Sequence, residues 1–413
     1  MSNEEQQQNK NTKPQRNIQK KFFIYILILI FFIYFINCLK TLPKYRFGYI
    51  FKGPGATYHK FRENNVFFKL KNGNIFILGK NTGDDNSHAY EKEDRIIPSE
   101  IYNIKTNKIE PVSFPMNIKY YDNAILMEDN KLLLILAYDP SLPEYKSGKA
   151  FPYDSMAVVN LDNMKIEKMI KKKVNEKNKP FPNPGKIYLG NNKVIVSNEL
   201  FDIDKGTSKI LKEKNLEKGF RICIPTKENK MLIFVLTSTF NKEAIYDNVY
   251  EYDYVTEELK HVGKITKRDI PYIKKVSDDK IVIIGGTKPN ENFTKLSEIE
   301  VYDINTNESK VISNMRIERC TNGWKSGFDV DLFDKKYLFI IGGKCPVEKV
   351  YGIKTDKRAG TQSEIVNLET NANYLGPKVD EVYLGQNIIK LNNDNLLIAG
   401  SGGDIQIFKQ WGK

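Results

Sequence analysis

Residues that commonly carry metal or acid–base chemistry are few and scattered in this sequence. Only three histidines and four cysteines occur among its 413 residues. His59, His88 and His261 lie far apart, and none has a metal-ligand spacing to another histidine or cysteine. Nucleophile-elbow and phosphate-loop motifs are also lacking in the sequence. We therefore predict no metal site and no cofactor.

Candidate ligand-binding residues lie instead in long polar segments. Segments 80–98, 138–154 and 344–362 each separate two strand-like runs. Long loops on a rigid scaffold are where binding usually resides. The predicted ligand-binding residues are Tyr90, Arg95, Tyr145 and Arg358.

The chain is basic, with a formal net charge of +13 from 64 basic and 51 acidic residues. Such an excess can attract polyanions. However, lysine is spread along the whole chain, arginine is scarce, and the sequence contains no arginine-rich tract or nucleic-acid motif. We therefore predict no nucleic-acid partner.

One segment has the composition of a membrane anchor. Residues 22–39 contain no charged side chain, and as a helix they would extend about 27 Å, close to a bilayer core of roughly 30 Å. We predict a transmembrane signal-anchor helix here, after a disordered basic tail over 1–21 and before a linker over 40–44. The lysines before the helix favour a cytoplasmic N-terminus. The remaining domain, 45–413, is then extracytoplasmic, either periplasmic or on the cell surface.

Cys38 leaves a second form of attachment open. No small-x-small cleavage pattern follows the apolar run, which favours an uncleaved anchor. A cysteine after an apolar run can be lipidated in bacterial lipoproteins, although Phe35, Ile36 and Asn37 depart from the usual small-residue motif. Either form of attachment would tether the domain to a membrane.

The rest of the sequence is an array of repeats. Seven short apolar runs begin near residues 75, 132, 194, 231, 281, 338 and 396, and a turn signal such as Asn72-Gly73 or Asn191-Asn192 precedes each. Each run predicts the buried second strand of a hairpin. An alternating third strand and a short fourth strand follow most of them, so the predicted unit is four antiparallel strands.

Two of these units resemble the kelch repeat. A double glycine ends the second strand in Ile283–Gly286 and Ile340–Gly343, and Tyr302-Asp303 ends a third strand. Met315 through Arg319 is similar to the kelch lead-in to a first strand. Blades 1 to 4 depart from the pattern at the glycine pair. The resemblance implies a kelch-type β-propeller over 45–413.

Ring closure follows from the two ends of this array. The last repeat supplies three strands, ending with Ile405–Phe408, and Tyr45–Ile50 is a spare strand before the first repeat. Pairing the two would remove both open sheet edges. We therefore predict an all-β, seven-bladed kelch-like propeller whose last blade is closed by the strand near 45–50. Six blades is the alternative, because the third repeat is short.

The resemblance also implies the function classes. Kelch-like propellers are mostly interaction scaffolds, so the first expectation is a membrane-tethered module that binds a protein or glycan through its long-loop face. The alternative is an extracytoplasmic sugar-processing enzyme, similar to a sialic acid epimerase, with Glu318 and Arg319 as its acid–base pair. Charged side chains converging at the channel mouth would favour the enzyme. Cys320 and Cys345 flank adjacent strands of blade 6, and whether they pair stays open, as does the oligomeric state.

Overall fold

The computed structural model describes most of the chain. The described residues are 12–41, 47–55, 66–81, 96–115, 124–137, 153–171, 186–196, 199–211, 216, 219–227, 229–236, 247–288, 294–319, 328–343, 357–379, 387–399 and 404–411. Within the N-terminal helix, side chains are described for residues 21–36.

The N-terminal helix α1 spans Thr12–Thr41. It therefore begins inside the predicted tail, where glutamine, arginine and lysine are good helix formers. In the part of the chain that the structure describes, no helix is long and apolar enough to cross a membrane, so the predicted transmembrane helix is not supported.

Seven four-stranded antiparallel sheets, numbered here as blades 1 to 7, follow the helix. Blade 1 contains β2 (Val66–Lys69), β3 (Ile75–Leu78), β6 (Ser99–Asn103) and β7 (Lys108–Val112), with a small hairpin of β4 (Lys80–Asn81) and β5 (Ile96–Ile97) between its middle strands. Blade 2 contains β8 (Ala124–Leu126), β9 (Lys131–Ala137), β10 (Tyr153–Asn160) and β11 (Lys165–Lys171). Blade 3 contains β12 (Lys186–Gly190), β13 (Lys193–Val196), β14 (Glu199–Asp202) and β15 (Thr207–Ile210).

The remaining blades repeat this order of strands. Blade 4 contains β16 (Phe220–Pro225), β17 (Lys230–Leu236), β18 (Asn248–Asp253) and β19 (Glu258–Lys264). Blade 5 contains β20 (Tyr272–Lys275), β21 (Lys280–Ile284), β22 (Glu298–Asp303) and β23 (Glu308–Asn314). Blade 6 contains β24 (Asp329–Phe333), β25 (Tyr337–Ile341), β26 (Gln362–Asn367) and β27 (Asn373–Lys378). Blade 7 contains β28 (Asn387–Lys390), β29 (Asn395–Ala399), β30 (Asp404–Gln410) and β1 (Gly48–Gly55).

The ring is closed in blade 7, as the sequence predicts. Strand β1 pairs with β30 in an antiparallel ladder in which Gly48 is opposite Gln410 and Phe51 is opposite Ile407. The seven-bladed prediction is therefore confirmed. The short third repeat still forms a complete blade, because its middle strands are joined with only two residues between them.

The hydrophobic core is divided among the seven interfaces between neighbouring blades. Alternate residues of each second strand point into different interfaces, because successive side chains of a strand lie on opposite faces. In β3, for example, Phe76 and Leu78 pack with blade 2, whereas Ile75 and Ile77 pack with blade 7. The last of the seven clusters joins blade 7 to blade 1 and so completes the ring.

The two faces of the propeller differ in their connections. Tight hairpins join the first and second strands on one face, the tight-turn face, and asparagine, aspartate, glycine or lysine adopts a positive φ in five of the seven, as at Gly73 (φ 88°) and Asn229 (φ 63°). The connections between blades and between second and third strands lie on the other face, the long-loop face. First strands of successive blades contact one another around the axis, as β16 does with β20 and β24 with β28.

Candidate functional site at the propeller axis

The first strands of blades 5, 6 and 7 meet around a single carboxylate. Each of these strands begins at the long-loop face, because the chain enters a blade from the inter-blade connection. Asp329 is the first residue of β24. Its Oδ1 accepts a hydrogen bond from the Tyr272 hydroxyl at 2.5 Å, and its Oδ2 accepts one from the backbone nitrogen of Ile388 at 2.6 Å. Asp329 thus joins three blades at the axis.

Lys274 reaches the same point from blade 5. Its Nζ donates to Asp329 Oδ1 at 3.0 Å, to the Val330 carbonyl at 2.7 Å and to Asp331 Oδ2 at 3.4 Å. Burial lowers the pKa of Lys274, but the charges of Asp329 and Asp331 outweigh it, so that the net shift is upward. Lys274 is therefore held as a cation. We call Tyr272, Lys274, Asp329 and Asp331 the axial cluster.

Burial also shifts the pKa of two further members of the axial cluster. It raises the pKa of Tyr272 well above its usual value, with the charge of Asp329 adding to the effect. It raises the pKa of Asp331 as well, and Lys274 offsets only part of that increase. Carboxyl groups with such pKa shifts in polar clusters are frequent at functional sites.

The hydrogen bonds decide which member can contact a ligand. Asp329 accepts bonds from four donors, including the backbone nitrogen of Val330, and the three protons of Lys274 are engaged. Among the described residues, only Lys274 contacts Asp331 Oδ2, at 3.4 Å, and the Asp331 side chain is 16% exposed. Asp331 is therefore the group that has acceptor capacity and access to solvent.

The chain that leads into blade 5 places an arginine in the blade core. Arg268 is fully buried and bonds Glu300 at 2.6 Å, Glu298 at 3.1 Å and the Gly285 carbonyl at 3.2 Å. Burial lowers the pKa of Arg268, and the two glutamates oppose that effect. This network ties the lead-in to the double glycine and to the third strand.

The two residues after Arg268 have features that are unusual in a protein interior. Asp269 is only 4% exposed, and its Oδ1 has no hydrogen-bond partner among the described residues. Burial raises its pKa. Ile270 has a φ of 42°, which is unusual for a β-branched residue. A buried polar atom without a partner and a left-handed backbone both cost stability, and backbone strain of this kind clusters at functional sites.

The blade 6 lead-in, which contains the predicted acid–base pair, has a different arrangement. Arg319 is buried and bonds Glu364 Oε1 at 3.0 Å and the carbonyls of Gly342, Ala359 and Gln362 at 2.6 to 2.9 Å. Glu318 is 61% exposed and pairs with Lys295 at 3.2 Å. The structure therefore separates Glu318 and Arg319, with one side chain in solvent and the other in the core of the blade.

Most of the predicted loop residues lie outside the described residues. This holds for Tyr90, Arg95 and Tyr145 and for Cys320 and Cys345. Arg358 is exposed in a short 3-10 helix, Lys357–Gly360, at the long-loop face. Cys38 lies in α1, but its side chain is not among those described.

Comparison with known proteins defines the class of fold only. No protein-family profile matches the chain, and no curated sequence matches it. Its structure is similar to that of a fungal alcohol oxidase of the AA5 family in complex with copper, with a TM-score of 0.54 and 12% identity over 88% of this chain and 76% of the oxidase chain. At this identity the likeness concerns the fold, and the protein is a seven-bladed β-propeller.

The described residues do not fit the copper of that oxidase. His261 lies on the outer strand β19, where its Nε2 is 3.1 Å from Asn248 Oδ1. Across the described ranges, no three His, Cys, Asp or Glu side chains are grouped as metal ligands.

Sequence reasoning did not single out the axial cluster, although a signal for it exists. Tyr272 and Asp329 are 57 residues apart, and Asp329 and Ile388 are 59 apart. Both separations are close to one repeat. Residues at the same strand position in consecutive repeats lie side by side at the axis, so aligning the first strands would have placed these groups together.

Proposed function

We propose that this chain is a membrane-tethered binding module that holds a protein or glycan ligand at the long-loop face of its propeller. The seven-bladed ring supplies a rigid scaffold, and propellers commonly bind ligands at one face of the ring. The observation that carries the proposal is the axial cluster, because its partly exposed polar groups, Lys274 and Asp331, lie on first strands that begin at that face. Asp331 would accept hydrogen bonds from ligand hydroxyl or amine groups.

A binding experiment with a matched pair of variants tests this function. The full-length chain in detergent is applied to a glycan array and to a panel of extracytoplasmic proteins, alongside Asp331→Asn and Asp278→Asn. Asp278 is fully exposed in the tight hairpin of blade 5, on the opposite face. We expect Asp331→Asn to lose most of the binding and Asp278→Asn to retain it. Equal binding by the two variants would contradict the proposal.

The proposed tether is helix α1. All the large apolar side chains from Phe22 to Phe35 are exposed in the isolated chain, and a membrane would remove that surface from water. The N-terminal lysines favour a cytoplasmic tail and an extracytoplasmic propeller. Protease treatment of intact cells should degrade the propeller, and deletion of residues 1–41 should release it from the membrane fraction. A propeller that survives the protease would contradict the proposed orientation.

A second candidate is a sugar-processing enzyme, which the converging charges of the axial cluster favour. Asp331, with its raised pKa, is suited to accept and return a proton, and Tyr272 and Lys274 can orient a polar substrate beside it. NMR of sialic acid anomers with and without the protein tests this candidate. Faster interconversion that Asp331→Asn abolishes would support it, whereas an unchanged rate would leave the binding module as the function.

A further inference from the structure

A cleft opens between blades 7 and 1 on the tight-turn face, opposite the face of the axial cluster. Its volume is 450 Å³, within the range of small-molecule sites, roughly 300 to 1,000 Å³. Three hairpin turns and the closing pair of strands, β1 and β30, form its walls. The sequence analysis did not predict this cleft, and the proposed function does not involve it.

The floor of the cleft is apolar and fixed. Tyr102 and Ile407 are buried there, and the Phe51 ring from β1 forms one wall. The Tyr102 hydroxyl donates to Asn107 Oδ1 at 2.9 Å, which holds both side chains in place. A rigid aromatic and aliphatic surface of this kind suits the carbon face of a sugar ring or a similar flat apolar surface.

The mouth of the cleft carries cations and amides but no acid. Two of the thirteen lining residues are lysines, Lys105 and Lys409, and none is aspartate or glutamate. The Lys409 ammonium lies 4.7 Å from the centroid of the Phe51 ring, directly beside the apolar wall. A cleft with this charge favours an anionic ligand.

Three of the five asparagines that line the cleft, Asn72, Asn107 and Asn392, use their side-chain oxygens within the protein. Asn72 and Asn392 use Oδ1 to accept backbone N–H groups within their own turns, and Asn107 uses Oδ1 for Tyr102. Within the described part of the chain, none of these three amide nitrogens donates a hydrogen bond that would occupy it. Such amides are suited to ligand hydroxyl groups.

From these features, we propose that the cleft binds a small carboxylated sugar. The carboxylate would pair with Lys105 and Lys409, the hydroxyl groups would accept from the asparagine amides, and the ring would pack on Phe51. The ligand would contact both blades at this interface. Because it would bind only the closed ring, it would also stabilise the folded protein by mass action.

Calorimetric titration of the full chain in detergent with D-glucuronate tests the proposal. D-glucose, which lacks the carboxylate, and acetate, which lacks the ring, are the comparison ligands. We expect D-glucuronate to bind at least tenfold more tightly than either, and to raise the melting temperature. Equal affinity for D-glucuronate and D-glucose would overturn the proposal, and so would the absence of binding at millimolar concentration.

Variants then place the binding in this cleft. Lys105→Gln and Lys409→Gln should each weaken D-glucuronate binding about tenfold, because each removes a charged hydrogen bond. Lys205→Gln, an exposed lysine in the corresponding hairpin of blade 3, is the control and should bind as the wild type does. Unchanged binding by the Lys105 and Lys409 variants would overturn the proposal. The Asp331→Asn variant separates this site from the proposed function, because it should retain D-glucuronate binding.

Discussion

Two interfaces of the ring, between blades 5 and 6 and between blades 7 and 1, are held together in different ways. At the first, Tyr272 and Lys274 of blade 5 bond directly to Asp329 of blade 6. At the second, Lys69 Nζ of blade 1 donates to the Leu391 carbonyl of blade 7 at 2.6 Å, and a cleft lies beside this bond. Both have a full apolar core. The apolar core is therefore common to both interfaces, and the polar groups between the blades distinguish them.

Removing the closing strand β1 should have the largest effect on stability. Deleting residues 1–55 removes β1, which exposes the edge of β30 and removes Phe51 from the cleft. We expect loss of more than half of the unfolding free energy, which is typically about 5–15 kcal/mol for a domain. Urea unfolding followed by circular dichroism measures the change. Deletion of 1–41, which leaves β1 intact, is the control and should have little effect; equal stability of the two deletions would contradict the ring-closing role of β1.

Asp329→Asn should have the next largest effect, because it removes the charge that joins three blades. Lys274 would lose its nearest carboxylate, and breaking a buried pair costs about 3–5 kcal/mol. We expect a destabilisation of about 3 kcal/mol, at the lower end because Asp331 remains. The midpoint of urea unfolding gives the value, with Asp278→Asn as the exposed control. A change below about 1 kcal/mol would indicate that polar bonds do not hold this interface.

Substitution of Asp269 tests whether the segment that leads into Tyr272 is optimised for stability. Its folded pKa is raised, so its stability contribution is fully present below the unfolded pKa, near 3.8, and is lost as the pH rises through the folded value. Asp269→Asn should therefore match the wild type in acid and exceed it by about 1 kcal/mol at neutral pH. Unfolding measured from pH 3 to 8 gives the difference. A variant less stable than the wild type at neutral pH would mean that Asp269 has a structural role.

Lys69→Met should have the smallest effect. Lys69 is exposed, and its single bond to the Leu391 carbonyl should contribute about 0.5 kcal/mol. Thermal unfolding of the variant, compared with Lys165→Met on the outer edge of blade 2, measures it. A loss as large as that of Asp329→Asn would remove the distinction between the two interfaces.

The strands and the ring closure were predictable because they depend on local patterns. Apolar runs after turn residues marked all seven second strands, and the spare strand predicted near residues 45–50 pairs with the last strand of the chain. The outcome differs for α1, whose polar first turns continue the helix to Thr12. A polar segment rich in glutamine and lysine has the composition of a disordered tail, although these residues also have high helix propensity.

The axial cluster was not predictable from single segments. Tyr272 and Asp329 meet only because the ring brings the same position of two repeats together. The burial of Arg268 and Arg319 was not predictable from single segments either. Each arginine follows a buried residue at the end of the preceding blade, Ile265 or Met315. Their burial against Glu300 and Glu364 depends on the third strand of the next blade, which no local pattern reveals.

The short distance between α1 and β1 has a mechanical consequence. Six residues separate Thr41 from Gly48, and a connecting segment of this length spans at most about 21 Å. Any pull between the helix and the propeller is therefore delivered to the end of β1 opposite Gln410. That end holds the first residue pair of the β1–β30 ladder that closes the ring, so tension on the connecting segment would act on this pair before the rest of the ladder.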